Sequence, residues 1–159
     1  MVIIVTGTSG TGKTAIAKKL AKKLKYDYLD VNKIIIENSL RGKYIKRLDS
    51  YEVDVNKLNK ILVNLIKKNK KLVIDSHLSH YLPRKYVDYC VICKTKLGVL
   101  RKRLEKRNYS KSKVRENLDS EIFDVCLTEA LENKHRIIIV DTSEKSIATC
   151  AREISKKIK

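Results

Sequence analysis

The chain has 159 residues, 43% of them hydrophobic and 34% charged, and 36 Lys and Arg against 18 Asp and Glu leave a formal charge of +18. A single core at this length buries roughly 70% of the unfolded surface, so neither a disulfide framework nor a structural metal is required, and the apolar content excludes a disordered chain. No apolar run nears the roughly 18 residues of a membrane-spanning helix and no basic leader precedes the first apolar run, so a cytoplasmic protein, or a nuclear one in a eukaryote, is expected.

The first element is a strand over residues 2–6, where five apolar or β-branched residues run together. The glycine-rich stretch Gly7-Thr-Ser-Gly10-Thr-Gly12-Lys13-Thr14 follows and leads into a helix over 14–24, with Ile16, Ala17, Leu20, Ala21 and Leu24 on one face. A weaker strand is expected at 26–29 and a helix at 31–39. The helix at 55–68 carries Leu58, Ile61, Leu62, Leu65 and Ile66 at helical spacing, with Asp54 as its N-cap.

Short apolar strands recur at 72–75, 89–92 and 136–140, interleaved with helices at 96–106, 113–133 and 144–157. Strands alternating with helices imply right-handed crossovers and a parallel sheet covered on both faces. The expectation is one α/β domain over residues 1–159 with the P-loop NTPase fold: a five-stranded parallel sheet of the nucleoside-monophosphate-kinase type, flanked by helices.

Residues 7–14 match G-x-x-x-x-G-K-[ST] in the strand-to-helix context that the motif requires. Glycine lets the backbone curl so that successive N–H groups and the helix N-terminus converge on a phosphate. Gly10, Gly12 and Ala15 are thus candidate nucleotide-binding positions. Lys13 would reach the β and γ phosphates of ATP, and Thr14 would offer its hydroxyl to Mg²⁺. Asp75 closes the strand at 72–75, at the carboxyl edge where parallel sheets bind ligands, and is the second expected magnesium residue. His77, two residues on, either positions water or phosphate or is structural.

Arginines recur at 101, 103, 107 and 115 around the turn-like stretch 106–110, the layout of a lid. Permanently cationic, planar guanidiniums suit phosphoryl transfer. Arg107, at the lid edge, is the first candidate and Arg103 the second; Arg101 and Arg115 read as surface charge. The pair Cys90 and Cys93 sits in an apolar strand, where positions three apart face opposite ways, so core packing is expected rather than a redox or metal pair. The excess charge points to a polyanionic partner such as RNA; a Lys-rich composition that merely coats helix faces is the alternative reading.

With those residues placed, the chain resembles the adenylate-kinase-like coilin-interacting nuclear ATPases of animals and their archaeal relatives labelled adenylate kinase. The resemblance rests on the P-loop at 7–14, Asp75-x-His77, the stretch Arg103-Leu104-x-x-Arg107-x-Tyr109-Ser110, Glu116-Asn117 and Glu121-Ile122-Phe123. It implies a monophosphate-binding insertion near residues 30–53 and a short lid near 106–116. Two activities are implied as well: magnesium-dependent transfer from ATP to AMP, and ATP hydrolysis tied to maturation of small-subunit ribosomal RNA through a ribosomal protein. Catalytic roles for Lys13, Asp75, His77 and Arg107 follow from the same likeness, the Asp75 and His77 positions matching the family's Walker B element.

Three positions depart from the family pattern: Ser9 stands for Pro, Asn108 for Gly, and Ile36 where an arginine is expected to hold the AMP phosphate, a role that Arg41, Lys43 or Arg47 would have to fill. Kinases of small metabolites such as shikimate share the core and the size, but residues 30–53 show no polar set specific to such a substrate. An ATP-driven ribosome assembly factor with little monophosphate kinase activity is the main alternative.

Overall fold

The structure, a computed structural model, describes residues 1–158. The main sheet joins β1 (Val2–Thr6), β2 (Asp27–Asp30), β5 (Leu72–Asp75), β6 (Tyr89–Lys94) and β7 (Ile137–Asp141) in the order β2-β5-β1-β6-β7. All its pairings are parallel. Around it lie α1 (Lys13–Leu24), α2 (Val31–Glu37), α3 (Val55–Lys68), α4 (Leu97–Lys106), α5 (Lys111–Ile122), α6 (Val125–Glu132) and α7 (Ile147–Lys157). A separate antiparallel hairpin pairs β3 (Arg41–Ile45) with β4 (Ser50–Val53).

The sheet is buried on both faces because its strands are apolar on both. Val2 and Ile4 of β1 pack with Leu58, Leu62 and Ile66 of α3, whereas Ile3 and Val5 pack with Ile16, Ala17 and Leu20 of α1 and with Cys150 and Ile154 of α7. Strand alternation puts Cys90 in the first core and Cys93 in the second. Burial pushes both thiols up to about 12, so each is a small apolar filler and no thiolate is available at neutral pH. The expected reading of that pair holds.

Several local signals act as expected. The Asp54 carboxylate accepts from Lys57 N at 3.1 Å and starts α3. Asn108 adopts φ 55°, a left-handed conformation that Asn tolerates.

One expectation is corrected, and one segment for which no element was expected takes shape. The helix expected over 113–133 is two helices, broken at Asp124 with φ 51°. Lys94, at the end of β6, forms ion pairs with Glu121 at 2.9 Å and with Asp124, and these long-range contacts draw both carboxylates to the sheet edge at the break. The segment after α2 is a hairpin: Tyr44 pairs with Tyr51, ring centroids 5.1 Å apart, and the left-handed Asp49 turns the chain. Nearly every hairpin side chain is exposed, so there is no apolar alternation by which to recognise its strands.

The register fixes where chemistry can occur. Val5 and Asp30 both pair with Asp75, Thr6 with Ile92, and Lys94 with Asp141, so the carboxyl ends of the strands lie side by side. The chain leaves β1 at the centre of this edge and winds to either side, the position at which open parallel sheets hold ligands.

Candidate functional site

The loop between β1 and α1 is shaped by glycines. Gly7 has φ 142°, and a Cβ there would lie 2.5 Å from the Cys93 carbonyl oxygen of the neighbouring strand. At Gly10, φ is 88° and a Cβ would meet Leu100 at 2.9 Å. Glycine is therefore demanded by the close approach of β6 and α4 as well as by the backbone. Gly12 occupies the N-cap position of α1, with no side-chain cap and no acidic residue in the first turn. The first α1 bond among the described residues runs from Ile16 N to the Gly12 carbonyl at 3.1 Å, which leaves the N–H groups of Lys13, Thr14 and Ala15 directed along a positive helix end. An anion fits this cradle.

Lys13 lies half-buried and its ammonium donates to the Thr8 carbonyl at 3.1 Å, folded over the loop it belongs to. Burial lowers its pKa, while Asp75 acts in the opposite sense. The Thr14 hydroxyl donates to Asp75 Oδ2 at 2.6 Å, so α1 and β5 meet through a hydroxyl and a carboxylate, the oxygen pair that Mg²⁺ prefers. No cluster of three His, Cys, Asp or Glu capable of holding a metal exists among the described residues. Thr14 and Asp75 therefore fit a magnesium ion that takes its remaining ligands from phosphate and water.

His77 stands exposed at the mouth of the site. Crowding by the protein on its inner side and the nearby Lys13 ammonium lower its pKa to about 4, so the imidazole is neutral at pH 7. His80, almost wholly buried, bridges the Thr6 hydroxyl at 3.0 Å and the Glu129 carboxylate at 2.7 Å, and its carbonyl lies 2.8 Å from His135 Nε2. That network ties the end of β1 to α6. Its members carried no signal in the sequence.

The arginines divide by function. Arg103 donates to the Gly10 carbonyl at 3.3 Å, to Thr95 and Thr142 hydroxyls at 3.3 and 3.1 Å, and to the Thr142 carbonyl at 2.8 Å. Thr142 in turn donates to the Thr11 carbonyl at 2.8 Å. Arg103 thus braces the phosphate loop from outside. Arg107 remains exposed, with Ser9 Oγ at 3.4 Å and the Tyr109 ring at 6.0 Å. Arg115 pairs with Asp119 at 3.1 Å, in keeping with surface charge.

In the segment after β2, Ile36 is 56% exposed and offers no charge. Of its three possible substitutes, Arg41 lies over the Tyr51 ring at 4.8 Å and Arg47 is paired with Glu116 of α5. Lys43 has no ion-pair partner among the described residues. Lys113 of α5 also donates to the Asp49 carbonyl at 3.2 Å, so the hairpin and the lid helix touch. A pocket of about 230 Å³ between α4 and α5 is lined by Leu97, Arg101, Arg115 and Leu118 and contains none of the phosphate-loop residues.

A five-stranded parallel sheet with a glycine phosphate loop, a P-loop lysine and a threonine–aspartate pair at its carboxyl edge defines a P-loop kinase fold. Shikimate kinase from Acinetobacter baumannii in complex with shikimate matches it with a TM-score of 0.71 at 16% identity, over 99% of this chain and 92% of that one. A sugar kinase from Janibacter sp. matches with a TM-score of 0.68, also at 16% identity, over 99% and 94% of the two chains. Residues 3–124 match the family described as an AAA domain, and the chain belongs to it. Relatives named "Putative adenylate kinase" include those of Methanococcus maripaludis, 38% identical over 97% of this chain and 86% of that protein, and Thermococcus gammatolerans, 39% identical over 99% and 85%.

Proposed function

We propose that this protein is a magnesium-dependent nucleoside monophosphate kinase that transfers the γ-phosphoryl group of ATP to AMP, releasing two ADP. The single observation that carries the reading is the Thr14–Asp75 hydrogen bond of 2.6 Å beside the Lys13 ammonium at the open end of the phosphate loop. An acceptor phosphate oxygen attacks the γ-phosphorus while its bond to the bridging oxygen breaks and ADP leaves. Positioning and charge stabilisation carry such a step, with no strong base. Lys13 follows the migrating group, the N–H groups of residues 13–15 hold the phosphates, and Arg107 closes from the lid. Magnesium, when bound by Thr14 and Asp75, neutralises developing charge on the phosphate oxygens.

Residues 30–53 are the acceptor-binding insertion and residues 106–116 the lid; the contacts of Arg47 and Lys113 between hairpin and α5 support that pairing. We further place the protein near the coilin-interacting nuclear ATPases, acting in the cytoplasm with ATPase activity and a part in small-subunit ribosomal RNA maturation alongside a ribosomal protein. Two observations favour the second reading, an assembly ATPase with little monophosphate kinase activity: Ile36 supplies no cation to an acceptor phosphate, and the neutral, exposed His77 suits a water-positioning role.

Coupled measurement of ADP release with and without AMP tests both. Turnover that rises many-fold with AMP supports the kinase. Turnover indifferent to AMP and to the other nucleoside monophosphates overturns it in favour of the ATPase.

A further inference from the structure

We infer that Tyr28 is a positioning residue for the magnesium carboxylate Asp75, an assignment that rests on the magnesium-nucleotide reading of the site. The Tyr28 hydroxyl donates to Asp75 Oδ2 at 2.9 Å, the same oxygen that accepts from Thr14 at 2.6 Å. Asp75 Oδ1 accepts no hydrogen bond among the described residues. One carboxylate oxygen is thus saturated by two protein donors, and the other is left for a metal-bound water.

The sheet register explains how a residue on a neighbouring strand reaches this carboxylate. Tyr28 pairs with Val73, and Asp75 lies two residues further along β5, hence on the same face. A phenol is long enough to cross that diagonal. The ring is held from the solvent side by Lys18, whose ammonium stands 5.5 Å from its centroid.

The terminal torsion of an aspartate is soft and roughly two-fold, so one donor leaves the carboxylate free to swing about the bonded oxygen. Two donors from different elements, α1 and β2, fix its plane. Groups that orient a ligand in this way typically change metal affinity by 10–100-fold when removed. Because Thr14 must also present its hydroxyl oxygen to the metal, Tyr28 is the donor whose only task here is orientation.

Tyr28→Phe keeps the ring and removes the donor. Manganese binding to the protein–ADP complex, followed by electron paramagnetic resonance, is expected to weaken by roughly 10-fold. ADP affinity in EDTA and the melting temperature should stay close to wild type. In an Asp75→Asn background the same substitution should change manganese affinity by less than about two-fold, because the carboxylate it orients is gone. Loss of ADP affinity equally with and without metal, or a lowered melting temperature with unchanged manganese affinity, would show that the hydroxyl only joins β2 to β5 and would overturn the inference alone. Asp75→Asn without effect on manganese binding would overturn the magnesium reading itself, and this inference with it.

Discussion

The two ends of the parallel sheet treat their cations differently. At the carboxyl end several have a partner: Lys13 on Thr8, Arg103 on Gly10 and Thr142, Lys94 on Glu121 and Asp124, Arg47 on Glu116, Lys113 on Asp49. At the amino end stand Lys22, Lys23 and Lys25 around the close of α1, Lys67, Lys68, Lys70 and Lys71 around the close of α3, and Lys156 and Lys157 on α7. None of these nine forms an ion pair among the described residues, and all nine are exposed. The segments they belong to are joined there, since Lys71 accepts from Asp27 N and Lys70 from the Met1 ammonium through their carbonyls.

Cations at helix C-termini are favoured by the helix dipole, which accounts for Lys22, Lys23, Lys67, Lys68, Lys156 and Lys157 individually. Lys25 caps the end of α1 and shares in this, whereas Lys70 and Lys71 lie beyond the end of α3. The lesson is that the +18 of the chain is not spent on the phosphate site. Part of the unpaired charge lies at the opposite pole, where a polyanion would bind without obstructing nucleotide exchange.

The largest effect should fall on the phosphate end. Lys13→Ala is expected to reduce turnover by at least about 10³-fold, since it removes the cation that stabilises the transferring group; the circular dichroism spectrum should be unchanged. A variant retaining wild-type turnover would refute the site. Reversing Lys23, Lys25, Lys70 and Lys71 to Glu should leave that turnover intact and abolish association with small-subunit ribosomal RNA. In the unaltered protein that association is expected to weaken by roughly 10³ to 10⁵ between 50 and 200 mM salt if six to ten phosphates are neutralised. Co-sedimentation insensitive to both salt and the reversals would leave composition alone as the account of the charge.

Smaller effects sharpen the carboxyl end. His77→Ala should lower ATP hydrolysis about 10-fold more than AMP phosphorylation, because water must be positioned whereas AMP brings its own nucleophile. Equal losses would make His77 structural. The subtlest effect is on stability. The pKa of all three histidines is lowered by burial, that of His77 to about 4. The unfolded chain therefore takes up protons below about pH 6.5 that the native protein does not, so stability falls as pH drops from 6.5 toward 4 and is flat above 7. Urea midpoints at pH 7.5, 6 and 5 test the sign, and a midpoint that rises on acidification would contradict it.

Much of this protein was decided by its sequence alone. The P-loop residues act locally: glycine freedom, a helix N-terminus and a lysine five residues from its carbonyl partner need only the chain around them. The same holds for the alternation of strands and helices, the Asp54 cap, the left-handed Asn108 and the opposed cysteines, each set by a period or by a single residue's backbone preference. Tertiary structure alone decided the rest. The hairpin over residues 41–53 buries too little to show a period, and the break at Asp124 comes with Lys94, 30 residues away in sequence. Arg103 reaches the Thr142 carbonyl, 39 residues away, and Tyr28 meets Asp75 only because the register of β2 against β5 puts them on one face. Contacts between residues distant in the chain leave no local pattern, and in this site they orient the groups that the motif supplies.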